Sequence, residues 1–156
     1  MSIFCLACNQ KAKQNQLLQA RIDSLEKRIN DSYKPGFGEF MSSIQVHHIK
    51  LWFAGKNKNW KLADFEMNEI KESLDGIQKY CTDRQESKSI GMINQPIDNL
   101  NKAIQQKDSV SFKNSYILLT NTCNSCHKVT NHEFNVVKIP DTPPFSNQIF
   151  KDESAK

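Results

Sequence analysis

Cys123, Cys126 and His127 form a Cys-x-x-Cys-His motif near the C-terminal end of the chain. On a helix, the two intervening residues bring both sulfur atoms to the same side of one turn, and the histidine points between them. This spacing is typical of covalent haem attachment, in which the two thiols form thioethers with the haem vinyl groups. The adjacent histidine then becomes the proximal axial ligand of the iron. The motif therefore predicts one covalently bound haem c.

Cys-x-x-Cys pairs also occur in zinc sites and in thiol-redox sites. A zinc site needs two further ligands, which His127 and His132 could supply, but the fixed spacing of a second ligand pair is missing. A thioredoxin-like site follows a strand in a βαβ unit, and no strand pattern precedes Cys123. Both alternatives are therefore weaker than haem attachment. His132, five residues after the motif, is either a surface histidine or a contact to a haem propionate.

The composition favours an all-α protein. Hydrophobic residues make up 38% of the 156 residues, and there are only five glycines and five prolines, which favours helices over a strand-and-turn fold. The net charge of +4 comes from lysines mixed with acidic residues along the chain. This even distribution lacks the basic patch of a nucleic-acid-binding protein, although it would suit an acidic redox partner. We expect no nucleic-acid binding.

The first eight residues resemble the end of a bacterial lipoprotein signal, with the small Ala7 directly before Cys8. The apolar run is shorter than the usual stretch of about 7–15 residues, and no basic residues precede it. A start site placed too far downstream would explain both departures; the alternative is an apolar terminus without an anchor. If Cys8 is lipidated, residues 1–8 anchor the protein on the periplasmic side of a bacterial membrane, where c-type haem is attached.

Residues 9–35 are predicted to form a helical stalk or linker. Within residues 9–33, four apolar residues recur at steps of 4, 3 and 4, which is the a/d pattern of a coiled coil: Leu18, Ile22, Leu25 and Ile29. About two heptads support only weak homo-oligomerisation, since three to four are normally needed. The alternative is an amphipathic helix that packs on the domain. Pro35 and the two glycines that follow it break the helix, and we predict a domain boundary there.

Four further segments carry apolar residues at the i, i+3/i+4 spacing of amphipathic helices. They cover residues 39–55, 59–82, 92–106 and 109–130, with a polar loop expected at 83–91. Glu66 is predicted to lie on the solvent face of the second segment, whose inner face ends at Cys81, a small buried residue. The inner face of the last segment consists of Phe112, Tyr116, Leu119, Cys123 and Cys126. The haem would therefore enter the interior of a four-helix bundle.

Residues 131–156 lose the helical period, and three prolines forbid a continuous helix there. Several apolar residues remain, so this irregular tail is expected to pack back on the domain: Val136, Val137, Ile139, Phe145, Ile149 and Phe150. The bundle with this extension spans residues 36–150. Residues 151–156 are charged and are predicted to be frayed.

Four amphipathic helices with Cys123, Cys126 and His127 on the last one resemble the class II c-type cytochromes, the cytochrome c′ group. The resemblance covers about residues 36–130. It implies a left-handed four-helix bundle with the haem between helices, and either periplasmic electron transfer or, in high-spin members, small-gas binding. The tail departs from the family, whose members end soon after the motif. A class I arrangement is excluded because no methionine follows Cys126.

The sixth iron position has three candidate ligands. The resemblance implies Met41, which lies in the first turns of the first bundle helix, where low-spin class II members carry their methionine. Taken alone, a methionine on an apolar stripe is usually core packing. His48 shares the inner stripe, and His47 is adjacent to it, so bis-histidine ligation and an open iron are both alternatives. The aromatic residues Phe40, Trp52, Trp60 and Phe112 are predicted to form the core or the haem pocket.

Three functions are consistent with this pattern. The first is a monohaem c-type cytochrome that carries single electrons to a redox partner protein. The second is a five-coordinate haem protein that binds a small gas, as a sensor or scavenger. The third is a haem-free helical bundle that serves as an assembly module or metal carrier. None of the three is an enzyme, because no nucleophile with its base and no carboxylate pair for acid–base chemistry is recognisable.

Overall fold

The computed structural model describes the backbone of residues 4–152 and the side chains of residues 11–152. This part of the chain contains five α-helices, one 3-10 helix and no strand, so the all-α prediction is confirmed. The 3-10 helix is Glu86–Ile93. The α-helices are α1 (Phe4–Asn30), α2 (Phe37–Lys56), α3 (Trp60–Tyr80), α4 (Asn94–Gln105) and α5 (Ser109–Val129).

The chain divides into two units between Lys34 and Pro35. The described part of the first unit is essentially α1, whose a/d stripe is open to solvent: Leu18, Ile22, Leu25 and Ile29 are 46% to 64% exposed. No helix among the described residues is both long and apolar enough to cross a membrane. The side chain of Cys8, the predicted lipid site, and residues 153–156 of the predicted frayed tail lie outside what the structure describes.

In the second unit, each of the four long helices contacts two others. Helix α2 packs on α3, α3 on α4, α4 on α5, and α5 returns to α2. Their facing sides form one hydrophobic core, because the apolar residues of each helix recur at helical spacing. The largest fully buried side chains of that core are Leu51, Met67, Ile70, Ile77, Leu100, Ile104, Phe112, Tyr116 and Leu119.

Local side-chain contacts define where the helices begin. The Asp108 carboxylate accepts hydrogen bonds from the backbone N–H groups of Val110 and Ser111, at 2.9 and 3.1 Å, and so caps α5 as predicted. Asn59 caps α3 by accepting from Leu62 N–H at 3.1 Å. These caps satisfy N–H groups that have no partner within the first turn of a helix.

The loop predicted at residues 83–91 is wrong from Glu86 onward, where the 3-10 helix begins. Ile90 and Ile93 are both buried, and residues three apart share one face of a 3-10 helix. The Ser87 hydroxyl also donates to the Cys81 carbonyl at 2.6 Å, which ties the segment to the end of α3. The polar composition and Gly91 concealed this contact with the core.

Glu66 does not lie on the solvent face of α3, as predicted; its side chain is 0% exposed. His47 of α2 lies 2.6 Å from one carboxylate oxygen, and the Lys50 ammonium lies 3.9 Å from the other. A buried carboxylate requires such partners, since desolvation of a lone charge is very costly. The period of α3 could not reveal this burial because both partners belong to another helix.

The tail beyond α5 has no regular secondary structure over residues 131–152, and it packs back on the domain as predicted. Phe150 is 6% exposed, and its ring centre lies 5.7 Å from that of Phe53 in α2. Ile139 also packs against the core, whereas Val136 and Ile149 face solvent. The tail therefore covers one side of the helices through a few anchoring residues.

Candidate functional site

The motif residues line a mostly apolar cleft of about 250 Å³ in the second unit. The cleft lies between α2, α3, the 3-10 helix, α5 and the tail. Met41, His48, Cys123, Cys126 and His127, which are five of the predicted site residues, line it together. Its other lining residues are Gly38, Ser42, Ile44, Gln45, Leu74, Ile90, Ile93, Asn135 and Val137. An apolar lining with a few converging polar groups is typical of ligand sites, whose volumes of about 300–1,000 Å³ are somewhat larger than that of this cleft.

His127 has a defined tautomer. Its Nδ1 lies 2.6 Å from the backbone carbonyl oxygen of Asn135 in the tail. A carbonyl oxygen only accepts, so Nδ1 carries the hydrogen and donates. In the neutral ring, Nε2 then keeps a free lone pair, which is the form that a metal-ligating histidine requires. The imidazole therefore fits the role of a proximal iron ligand.

Cys123 and Cys126 are free thiols one helical turn apart on α5. Burial raises the pKa of Cys123 to about 11 and also raises the pKa of Cys126. Reactive redox cysteines have lowered pKa values, because the thiolate is the nucleophile. Neutral thiols against an apolar cleft therefore argue against a thiol–disulfide exchange site.

The zinc alternative needs a cluster of ligands around the two cysteines. Among the residues that the structure describes, no group of three or more His, Cys, Asp or Glu side chains could hold a metal ion. His132 instead accompanies Arg84 and Glu86 at a second, neighbouring cleft of about 230 Å³, which shares Met41, Cys126 and His127 with the first. The Arg84 guanidinium is paired with the Glu86 carboxylate at 2.9 Å.

His48 lies at the cleft wall and is 4% exposed, with both ring nitrogens in hydrogen bonds. The Thr120 hydroxyl donates to the Tyr116 carbonyl at 2.9 Å, so it accepts from His48 Nε2–H at 3.0 Å. The Tyr116 hydroxyl donates to the His48 carbonyl at 2.8 Å and lies 2.9 Å from His48 Nδ1. Both ring nitrogens of His48 therefore have a buried polar neighbour, and neither is free.

Burial controls the protonation of this network. Desolvation lowers the pKa of His48 from 6.5 to about 4 and raises the pKa of Tyr116 far above its ordinary value. The imidazole stacks on the Tyr116 ring with centres 4.5 Å apart, and Trp52 lies 4.8 Å from Tyr116. Trp60 and Phe112 continue the cluster. These aromatic side chains belong to the core beside the cleft, as predicted.

Met41 and His47 differ in what they contact. Met41 is half-buried and packs against the core at the rim of both clefts. His47 points its Nδ1 at the buried Glu66 and has Nε2 at 3.7 Å from Glu69. His47 is not among the residues that line the cleft, so Met41 is the candidate with a side chain available to it.

The sequence prediction did not identify Thr120, Asn124 or Asn135 as site residues. Their contacts join different segments of the chain, and no local pattern signals them: Thr120 with His48, Asn124 with Val137, and the Asn135 carbonyl with His127. The one available signal was Asn124, a side-chain amide inside the attachment motif. No protein-family model, no curated protein and no solved structure matches this chain.

Proposed function

We propose that this protein is a monohaem c-type cytochrome that carries single electrons to and from a redox partner protein. The observation that carries the proposal is the convergence of Cys123, Cys126, His127 and Met41 on one apolar cleft. When bound, haem c supplies a ferric/ferrous couple, and the protein adjusts its potential through the axial ligands and the surrounding polarity. The proposal assigns no substrate chemistry to the chain.

Each site residue has a separate task in this proposal. Cys123 and Cys126 would hold the cofactor by thioether bonds, and the Nε2 lone pair of His127 would bind its iron. The apolar wall of the cleft, including Leu74, Ile90 and Ile93, excludes water from the buried face. A dry surrounding strengthens the influence of every nearby dipole on the redox couple.

Met41 is the proposed sixth ligand. His48 lines the same cleft, but both of its ring nitrogens are engaged by Thr120 and Tyr116. Ligation by His48 would break at least one buried hydrogen bond and leave a polar group unsatisfied, at a cost of about 1–3 kcal/mol. Displacing Met41 from its half-buried position requires no such loss. His48 is therefore proposed to shape the distal wall of the cleft.

The decisive assay is the pyridine haemochrome spectrum of protein produced in a periplasm with a working attachment machinery. Covalent haem supports the proposal, and its absence ends both haem functions and leaves the haem-free bundle. Met41→Ala should then change a low-spin ferrous spectrum with a weak methionine–iron band into a high-spin one that binds CO rapidly. Met92→Ala, which removes an exposed methionine from the 3-10 helix, is the matched control.

Small-gas binding is the alternative outcome of the same measurement. A high-spin ferrous spectrum with rapid CO binding in the unmodified protein would support gas binding, and not electron transfer, as the function. An unchanged spectrum in Met41→Ala would remove Met41 from the site. Either result leaves Cys123, Cys126 and His127 as the attachment residues.

The proposed architecture is a cytochrome c′-like four-helix bundle of α2 to α5. Its support is the closed cycle of contacts from α2 through α3, α4 and α5 back to α2. Antiparallel neighbours with short connections are typical of such bundles. The Gly55 backbone lies directly against the Phe112 ring, which lets α2 and α5 approach closely.

We further propose that α1 is a stalk that pairs weakly with a second copy of this chain in a parallel coiled coil. Ile22 and Ile29 occupy a positions, and Leu18 and Leu25 occupy d positions, the combination that favours two strands. Asn15 lies at the preceding a position, where asparagine specifies register in dimers. The exposure of all five residues in one chain leaves the stripe available to a partner helix.

The charges beside the stripe fit the same partner. Arg21 and Glu26 occupy a g position and the following e position, which face each other across a parallel dimer. Sedimentation equilibrium should show that Ile22→Asp shifts a concentration-dependent dimer to monomer. Leu17→Asp, at a 72% exposed position beside the stripe, is the control and should sediment like the unmodified chain. Identical masses for all three proteins would refute the oligomerising stalk.

The proposed location is the periplasmic side of a bacterial membrane, with a lipid on Cys8. This proposal rests on the sequence of the first eight residues and on the compartment in which c-type haem is attached. A lipid anchor shared by two stalks would raise their effective concentration and so promote a short coiled coil. Labelled palmitate should enter the unmodified protein but not Cys8→Ala; equal labelling would refute the anchor.

A further inference from the structure

The tail returns to the attachment motif immediately after α5. Asn131 has a positive φ of 60°, and the N–H groups of Asn131 and His132 donate back to the carbonyls of Lys128 and His127. This is the Schellman arrangement, which ends a helix with one left-handed residue and reverses the chain direction. Asparagine tolerates that conformation better than most residues. The following residues therefore run back beside the last turns of α5.

Asn124 fastens this returning segment. Its side-chain amide donates to the Val137 carbonyl at 2.8 Å, and its side-chain oxygen accepts from Val137 N–H at 2.8 Å. The two bonds imitate a pair of backbone bonds between neighbouring strands and satisfy both polar groups of Val137. Asn124 lies between the two motif cysteines, so the tail is fastened to the motif itself.

The fastened segment carries the carbonyl that orients His127. Asn135 lies two residues before Val137, and its backbone oxygen accepts from His127 Nδ1–H at 2.6 Å. The Asn135 side chain is exposed, so only its main chain takes part. The position of that main chain depends on the Schellman turn at one end and on the Asn124 clamp at the other.

We propose that residues 131–139 form a proximal strap, and that Asn124 is a positioning residue that sets the properties of His127 through it. This inference rests on the proposed function. A carbonyl that accepts from Nδ1–H raises the basicity of Nε2 and holds the ring in one orientation. A more basic proximal ligand stabilises the ferric iron and lowers the reduction potential. The strap thus gives the tail a function that the cytochrome c′ group does not supply.

The test compares Asn124→Ala with Ser125→Ala in the haem-loaded protein. Ser125 is exposed, and its hydroxyl donates to the Asn121 carbonyl within α5, so it has no contact with the tail. Asn124→Ala should accelerate amide exchange at Val137 by roughly 5–30-fold, as expected for the loss of two hydrogen bonds. It should also raise the reduction potential and, in a Met41→Ala background with a five-coordinate ferrous iron, lower the iron–imidazole stretching frequency. Ser125→Ala should leave all three quantities unchanged.

Val137→Pro weakens the same clamp by a change in the tail. It removes the N–H group that donates to the Asn124 side-chain oxygen, and it leaves α5 intact. It should raise the potential in the same direction, and it keeps the test valid if Asn124→Ala does not accumulate. Potentials and stretching frequencies equal to those of Ser125→Ala in both variants would overturn the strap, while covalent haem in the same samples would leave the proposed function standing. Absence of haem from the unmodified protein would instead overturn the proposed function and the strap together.

Discussion

His48→Gln should remove a large part of the pH dependence of stability. His48 is 4% exposed, and its two ring nitrogens lie within hydrogen-bond distance of Thr120 and Tyr116. Adding a proton to the ring would bury a positive charge in a desolvated site. Burial accordingly lowers the pKa of His48 from its ordinary 6.5 to about 4. Glutamine keeps a donor and an acceptor but does not titrate.

The direction in which pH changes the free energy of unfolding follows from proton binding. Between pH 6.5 and about 4, the unfolded chain protonates His48 and the folded protein does not. The free energy of unfolding therefore falls as the pH falls through this window, and this contribution is fully present only above pH 6.5. Each pH unit corresponds to about 1.4 kcal/mol, so the difference between the two pKa values amounts to about 3 kcal/mol.

The assay is urea denaturation followed by circular dichroism, at several pH values between about 4 and 7. The useful quantity is the unfolding free energy of the unmodified protein minus that of His48→Gln, since other groups titrate in both. This difference should decrease by about 3 kcal/mol toward the acidic end. His132→Gln, which removes a partly exposed histidine outside the network, is the control. A difference that stays constant over the whole range would refute the assignment of a buried, neutral His48.

Tyr116→Phe tests the same network without removing the histidine. The loss of the hydroxyl leaves His48 Nδ1 and the His48 carbonyl without their buried polar partner, which should lower the unfolding free energy by about 1–3 kcal/mol at neutral pH. Thermal unfolding measures this change. An unaltered midpoint would mean that the hydroxyl contributes nothing to the network.

Two further predictions concern the helices that hold the cleft. Gly55→Ala should destabilise the protein by about 1–3 kcal/mol, because the new methyl group would collide with the Phe112 ring. Gly91→Ala is the control and should not destabilise it, because the space around Gly91 is open. Equal unfolding midpoints for the two variants would contradict the close approach of α2 and α5. Asn59→Ala should cost about 1 kcal/mol through loss of the cap bond to Leu62 N–H, measured by urea denaturation, and a neutral result would show that the cap is dispensable.

Much of the secondary structure was predictable because its cause is local. The predicted helices at 39–55, 59–82, 92–106 and 109–130 agree with α2 to α5 to within a few residues at each end, since an apolar stripe at helical spacing is a property of a short segment. The motif was recognisable for the same reason. The 3-10 helix was not, because its polar sequence resembles a loop until Ile90 and Ile93 are seen to reach the core.

The sequence predicted which residues line the candidate site but not which hydrogen bonds they make. Met41 and His48 were named from one stripe of one helix, and both line the cleft with the motif. That stripe could not distinguish a histidine with a free nitrogen from one with none, because Tyr116 and Thr120 lie 68 and 72 residues away. The burial of Glu66 was missed for a similar reason, since its partner His47 is on the neighbouring helix.

By itself, the sequence determined that the chain is helical, that its apolar stripes face one core, and that two cysteines and a histidine share one turn of the last helix. These are consequences of spacing within short segments, which the backbone converts directly into geometry. Only the tertiary structure decided what each polar atom of the site does. In the folded protein, His127 donates from Nδ1 to the Asn135 carbonyl, which leaves its Nε2 free. Both ring nitrogens of His48, by contrast, contact Thr120 and Tyr116. Hydrogen bonds are short and directional, so their partners are known only when distant segments of the chain have packed together.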